Sequence, residues 1–258
     1  MAGGRRFQST VPYYVRYRTR YPQALLNEVA GALGVDGGGR LLDLGCGPGF
    51  LAIGLAPHFE AVVAMDPEPE MIAAAEAEAA AAGLTLTLVS GGSDDLGPHL
   101  GSFRLVTMGR SFHWMARDRT LAALDALVIP GGAIGLFAID HQDTSENAWR
   151  ATFTAIRDRY TPPSLRRRWS DEEPHEAVLA RSVFSVVHRL TYTWRQGVPI
   201  DDLAGRMLSM SVTAPTALGE RRGKLEAELR EALAPYATGG LVEEVLEAEA
   251  LLAERPGS

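Results

Sequence analysis

One nine-residue stretch constrains the fold of this chain more than any other: Leu41-Leu42-Asp43-Leu44-Gly45-Cys46-Gly47-Pro48-Gly49. A compact apolar run, Arg40–Leu44, stops at three alternating glycines, and Phe50–Leu55 follows with helical spacing. A strand-to-helix turn built of glycines lets the backbone come close to a ligand, where any Cβ would clash. Asp66 follows Gly45 by 21 residues and ends the next apolar run, Ala61–Met65. In a βαβ unit that is where an acid hydrogen-bonds the ribose hydroxyls of a nucleoside. The glycines alone are a weak signal. With their strand, helix and spaced acid they predict a nucleoside-cofactor site.

The same alternation continues down the chain. Glu68–Ala82 is rich in alanine and glutamate, both strong helix formers, and Gly83 is placed to close it. Leu84–Val89 and Arg104–Met108 read as strands and Arg117–Val128 as helix. Pro130-Gly131-Gly132 reads as a turn before a strand over Ala133–Ile139. Strands alternating with helices imply right-handed βαβ units, hence an α/β fold with an open, doubly wound, mostly parallel sheet. After Asp140 the pattern changes. Residues 141–182 carry Trp149, Trp169 and Pro162-Pro163 in helical stretches without a clear strand. Val183–Trp194 alternates as a strand, Ile200–Met210 and Glu220–Leu233 read as helices, and Leu241–Ala253 holds a last strand. The expectation is a single domain over 1–258. It comprises an N-terminal helix segment (1–36), a cofactor-binding core (37–140), a helical insertion with the acceptor region (141–215), and a last helix and strand (216–258).

Composition narrows the class. With 46% hydrophobic and 22% charged residues, the chain has ordinary globular usage rather than that of a disordered or coiled-coil protein. No apolar run approaches the ~18 residues of a membrane span, so no membrane partner is expected. The single cysteine, Cys46, cannot form an internal disulfide, which points to the cytoplasm. A net charge of −7 argues against a nucleic-acid partner. The charge is uneven: Arg5, Arg6, Arg16, Arg18 and Arg20 precede the first acid, interleaved with Tyr13, Tyr14, Tyr17 and Tyr21. A transit peptide would also be basic and free of acids. However, Pro22 and the amphipathic series Ala24, Leu25, Leu26, Val29 and Leu33 read as a folded helix.

The glycine spacing chooses between nucleoside cofactors. The dinucleotide fingerprint needs Gly-x-Gly-x-x-Gly, whereas here the third glycine falls one residue early, at Gly49, and Phe50 takes its place. The Asp-x-Gly-x-Gly-x-Gly pattern resembles motif I of the class I S-adenosylmethionine-dependent methyltransferases, near their small-molecule "type 11" subgroup. Pro130-Gly131-Gly132 is similar to that family's turn before its fifth strand, and Ser111-Phe112-His113-Trp114-Met115 to its segment after the fourth. Tyr14-x-x-x-Arg18-x-x-Tyr21-Pro22 resembles the opening segment of its small-molecule members. The likeness spans most of residues 10–255.

The resemblance implies a Rossmann-like fold, S-adenosyl-L-methionine as cofactor, and a set of roles. Gly45 and Gly47 would admit the methionine end. Asp43 would anchor the loop and reach the amino group, directly or through water. Asp66 would hold the ribose, and Pro67 would pack near the adenine. Where the family often has Gly-Asp-Ala-Glu, this chain has Gly91-Gly92-Ser93-Asp94. Ser93 would then offer a backbone N–H to the adenine, with Asp94 or Asp95 replacing the missing acid. Arg18 would pair with the cofactor carboxylate, and Arg110 joins the cofactor-binding set.

Catalytic groups are sparser. No histidine pair has metal-ligand spacing, so no metal is expected. His113 and His141 both follow expected parallel strands, beyond whose carboxyl ends ligands bind. Each is therefore a proton acceptor or a packing residue. Cys46 has no cationic or basic neighbour in sequence to activate it and reads as a small loop residue. Arg166-Arg167-Arg168 is a solvated face or, with Trp169, a lid; Trp149 and Phe153 read as core. The resulting expectation is an enzyme that transfers methyl to a small-molecule acceptor, oxygen preferred over nitrogen or carbon. The alternatives are a cofactor-binding protein with cyclase-like or regulatory function and, less favoured, a protein or RNA methyltransferase.

Overall fold

The computed structural model describes residues 8–165 and 173–257. Arg166–Arg168 and Trp169 therefore lie outside the described residues. Two short N-terminal helices, α1 (Val11–Tyr17) and α2 (Gln23–Ala32), lead into an alternating core. It runs β1 (Arg40–Leu44), α3 (Phe50–Leu55), β2 (Ala61–Asp66), α4 (Pro69–Ala81), β3 (Thr87–Ser90), β4 (Phe103–Gly109), α5 (Arg117–Asp125) and β5 (Val128–His141). There follow α6 (Trp149–Tyr160), α7 (His175–Ala180), β6 (Val186–Pro199), α8 (Ile200–Leu208), α9 (Pro215–Leu218), α10 (Arg222–Leu233), β7 (Ala237–Thr238) and β8 (Leu241–Glu254).

The strands form one eight-stranded sheet in the order β3-β2-β1-β4-β5-β8-β6, with β7 antiparallel on β8. β1 pairs in parallel with both β2 and β4, so the strand order reverses at β1. In an open α/β sheet that reversal opens a crevice beyond the strands' carboxyl ends. The expected α/β class, an open, mostly parallel sheet, is the observed one. No described helix is long and apolar enough to cross a membrane.

Several local expectations need correction: the helix expected over Arg117–Val128 ends at Asp125, with Val128 opening β5, and the strand expected over Val183–Trp194 runs Val186–Pro199. Pro130-Gly131-Gly132 is a bulge inside β5 rather than a turn before it. Phe103 pairs with Val128 and Leu105 with Ala133, so the surplus β5 residues loop out, with Gly131 at φ +72°. β3 begins at Thr87 instead of Leu84. The preceding residues finish α4: the Gly83 amide donates to Ala80 O at 3.0 Å and Leu84 to Ala79 O at 2.9 Å, the closure a glycine in the left-handed region permits.

The described chain divides into two compact units. One comprises Arg20–Ile139 with the described parts of Glu172–Tyr192 and Ala248–Ser258. Its core joins Leu42, Leu44, Met65, Val106, Met108 and Phe112 with Phe184 and Leu251, all buried. Each such side chain contributes roughly 1.5–3 kcal/mol relative to exposure. The other comprises the described residues up to Thr19, Asp140–Asp171 and Thr193–Glu247. There Trp149 and Phe153 are core, as expected, their rings edge-to-face at 5.7 Å among Leu203, Met207, Leu225 and Leu229. Within this unit α1 packs on α8 at Gly205, where a Cβ would lie 2.3 Å from the Tyr17 ring.

Candidate cofactor site

The loop after β1 is held by its neighbours. The Gly45 and Cys46 amides both donate to Met65 O, at 2.8 and 3.0 Å, and Gly49 N donates to Cys46 O at 3.0 Å. Gly47 N donates to Asp66 Oδ2 at 2.8 Å. These loop donors thus serve the protein instead of an N–H cradle for phosphate. Gly45 is bare because the loop packs closely on the segment after β4. It sits at φ +70°, and a Cβ on it would lie 2.6 Å from Cβ of Ser111.

Asp43 lies beneath the loop, 1% exposed. Its Oδ2 accepts the Ala52 N–H at 3.1 Å, in the first turn of α3, and its Oδ1 accepts the Thr107 hydroxyl at 2.9 Å. The chain's own Asp43 side chain therefore takes an N–H at this helix start, where a dinucleotide's phosphate would otherwise bind. Burial pushes the Asp43 carboxyl up to about 7, against the lowering effect of these hydrogen bonds. Cys46 is buried, and its thiol is pushed up by that burial and by the nearby Asp43 and Asp66. It is no nucleophile.

Asp66 ends β2, 7% exposed. Besides Gly47 it accepts the Glu68 N–H at 2.9 Å through Oδ1. Burial raises its carboxyl while these amides lower it. Each oxygen uses one lone pair on the protein and keeps one for a ligand hydroxyl. Pro67 is exposed beside Gly92, where a Cβ would lie 3.8 Å from Pro67 Cβ. Ser93 opens a short turn, Ser93–Asp95, which Asp95 caps by accepting Gly92 N–H at 2.9 Å. The exposed Asp94 carboxylate instead faces Arg119 at 3.4 Å.

The segment after β4 closes the other side of the loop. Arg110 has φ +56°, the one non-glycine residue with positive φ among those described. Its guanidinium lies 5.5 Å from the Tyr21 ring centre and its amide donates to Phe137 O at 3.0 Å. Ser111 is buried and donates to Leu44 O at 2.8 Å. His113 follows in a short turn, its ring 5.0 Å from that of Trp114, which is 44% exposed. Thr107 and Ser111 brace the loop through Asp43 and Leu44 O; pattern reasoning did not name Thr107 and placed Ser111 only within the segment after β4. Their signal was a hydroxyl in or just after an apolar strand, which must find a partner.

Two expected site residues belong to the other unit. Arg18 stacks over the Tyr14 ring at 5.2 Å. His141, the last residue of β5, is hydrogen-bonded to Glu244 at 2.8 Å. No cluster of histidine, cysteine and acidic residues able to hold a metal occurs among the described residues.

Residues 41–132 match the family model described as "Methyltransferase domain". An uncharacterized methyltransferase of Mycobacterium tuberculosis is 32% identical over 130 residues, and the chain spans about half the length of that relative and half of its own. Among solved structures, a candidate type II methyltransferase from Anaeromyxobacter dehalogenans superposes with a TM-score of 0.60 at 23% identity, covering 93% of this chain and 98% of that one. A SAM-dependent methyltransferase from Thiobacillus denitrificans, in complex with S-adenosyl-L-homocysteine, gives 0.55 at 17% identity, covering 98% and 100%. Residues 41–132 of this chain thus match a methyltransferase domain, and the described chain shares its fold with these methyltransferase structures.

Proposed function

We propose that this chain transfers a methyl group from S-adenosyl-L-methionine to a small-molecule acceptor, with oxygen preferred over nitrogen or carbon. The observation that carries the cofactor reading is Asp43 at the start of α3. The buried Asp43 side chain already takes the Ala52 N–H there, a donor that a pyrophosphate would need, which suits a nucleoside with no phosphate. The residues fit such a group. Gly45 and Gly47 leave room for its chain, Asp66 holds the ribose hydroxyls, and Pro67, Gly92 and Ser93 border the adenine. Arg18 and Arg110 are the guanidinium candidates for its carboxylate.

When bound, the cofactor supplies a methyl group already activated by a positive sulfur. The protein's work is to align the acceptor, exclude water and, for a hydroxyl acceptor, take a proton. His113 and His141 are the two imidazoles proposed for that last task. The small-molecule reading rests on the resemblance, on the net charge of −7, and on Gly109-Arg110-Ser111-Phe112 after β4. That segment lacks the Asn/Asp-Pro-Pro-Tyr/Phe motif that would favour a nucleic-acid or protein acceptor.

Calorimetry with S-adenosylmethionine, S-adenosylhomocysteine and NAD tests the cofactor. Binding of the first two and not the third is expected; NAD binding alone refutes the reading. Transfer of tritiated methyl across small molecules, RNA and protein then tests the acceptor class. Cofactor binding without transfer to any acceptor would favour a regulatory or cyclase-like protein.

A further inference from the structure

Thr107 is buried in β4, in a stretch that is otherwise apolar from Leu105 to Met108. In the sheet it stands beside Asp43, its partner in the register of β1 and β4. Its hydroxyl oxygen lies 2.9 Å from Asp43 Oδ1 and 3.5 Å from Leu42 O. A hydroxyl carries one proton and two lone pairs, so it gives to one of these oxygens at a time. The 2.9 Å separation suits donation in either direction. Toward an ionised Asp43, Thr107 donates to Oδ1. Toward a protonated Asp43 it accepts from Oδ1–H, and its own proton turns to Leu42 O. The Ala52 N–H, 3.1 Å from Oδ2, serves both states. Each state thus partners both Asp43 oxygens, and no heavy atom need move.

The surroundings disfavour charge on Asp43 in the free chain. The groups that face it are Thr107 from β4, the Ala52 amide from α3, Cys46 in the loop and Asp66 at the end of β2. Burial is the largest influence and raises the Asp43 carboxyl to about 7; Thr107 and Ala52 pull it down, and the Asp66 charge raises it. Glu68 opposes ionisation of Asp66 in the same way. Among the described residues, none forms an ion pair with Asp43 or Asp66. Two buried acids therefore flank the glycine loop without a cation to balance them. A positive ligand seated on the loop would supply that balance, and an opposite charge favours the ionised carboxyl.

We propose that Thr107 is a positioning residue whose hydroxyl reverses between acceptor and donor, so that Asp43 holds a proton in the free chain and gives it up when the cationic cofactor binds. The coupling to the cofactor rests on the function proposed above. On binding, the Asp43 O–H bond breaks, its electron pair stays on Oδ1, and the proton leaves to solvent. The Thr107 O–H turns from Leu42 O to Oδ1 and holds the new carboxylate. Asp43 and Asp66 then balance the positive ammonium and sulfonium of S-adenosyl-L-methionine. The sign follows from linkage: where the free chain is protonated and the complex is not, affinity rises with pH.

The test uses the full chain and has two readouts. Calorimetry with S-adenosylmethionine, in buffers of low and high ionisation enthalpy, counts the protons released. Near pH 6, release of about one proton per chain is expected, with affinity falling by up to about tenfold per pH unit on further acidification. Asp43→Asn should bind without release. Thr107→Val removes the donor to the carboxylate and should move the release to higher pH, and Thr107→Ser should restore it. Release that persists in Asp43→Asn, or that Thr107→Val leaves in place, overturns the proposal. Carboxyl 13C NMR of the free chain, assigned by difference with Asp43→Asn, should show Asp43 protonated near pH 6. The Thr107 Cβ resonance should shift with the same midpoint, which tests the hydroxyl even where Thr107→Val fails to fold. An ionised Asp43 near pH 6, or a Thr107 resonance that does not move, overturns the switch. A chain that binds no S-adenosylmethionine fails the functional reading instead, and the free-chain titration still upholds or overturns the pairing of Thr107 with Asp43.

Discussion

The Gly47 amide donates to Asp66 Oδ2 at 2.8 Å, so the acid that ends β2 also holds the glycine loop that follows β1. The same carboxylate shapes the loop and, in the function proposed above, is the group that would meet the ribose at the sheet's switch point.

Removing that carboxylate should therefore act on binding. Asp66→Ala is expected to weaken S-adenosylhomocysteine binding by ~1.5–3 kcal/mol, or roughly ten- to hundredfold, in a chain whose circular dichroism is unchanged. Wild-type affinity in the folded variant would show that the acid serves the loop alone.

Gly45 tests the packing of the loop on Ser111. In Gly45→Ala the new Cβ meets Ser111 at 2.6 Å and the backbone stays at φ +70°. Cofactor binding should be lost. Adding Ser111→Gly relieves the collision but not the left-handed backbone, which costs about 1–2 kcal/mol. Only partial recovery is expected by calorimetry; full recovery would mean the backbone conformation carries no cost.

The motif region was legible because its elements are local. Arg40–Leu44 and Phe50–Leu55 appear with the expected bounds, since an apolar run stopped by glycine specifies its own ends. Asp66 was legible for the same reason, as a spaced acid at a strand terminus. The Pro130-Gly131-Gly132 bulge was not, because pairing with Phe103 and Leu105 decides it. The partners of Asp43, Thr107 and Ala52, lie 64 and 9 residues away, and Glu244 meets His141 across 103. No short-range pattern encodes such meetings.

Stability should depend on pH through Asp43. Its carboxyl stands at about 7 in the folded chain against an ordinary value of 3.8. Between those values the folded chain holds a proton that the unfolded chain has lost, so stability falls as pH rises from about 4 to 7. Asp43→Asn can accept from Ala52 through its oxygen and donate to Thr107 through its nitrogen. It should flatten that slope, measured as denaturant midpoints across the range. An unaltered slope would assign the titration elsewhere, Asp66 first, since burial raises it too.

Gly92 stands where the family often has an adenine-binding aspartate. Its backbone, at φ −126° and ψ −169°, suits any residue, and a Cβ would meet only Pro67, at 3.8 Å. Gly92→Asp should fold normally and bind S-adenosylhomocysteine severalfold more tightly. The gain should vanish with the inosine analogue, which lacks the amino group. A gain that persists would place the new carboxylate away from the adenine edge.

His113 offers the sharpest contrast with His141. Its ring leans on Trp114 at 5.0 Å, and that indole is 44% exposed. The pair presents an aromatic surface after β4, suited to packing against an acceptor. His141, by contrast, is hydrogen-bonded through Nε2 to the buried Glu244 at 2.8 Å. If proton removal belongs to His141, His113→Ala should raise the acceptor's KM severalfold while kcat keeps its acidic limb, because loss of a contact made equally in ground and transition states leaves kcat alone. If His113 is the base, kcat should instead fall by about 10²-fold and the limb should disappear. Cofactor affinity, measured separately, should not move in either case. A drop there would place His113 in support of the glycine loop, through the adjoining Ser111, rather than in contact with the acceptor.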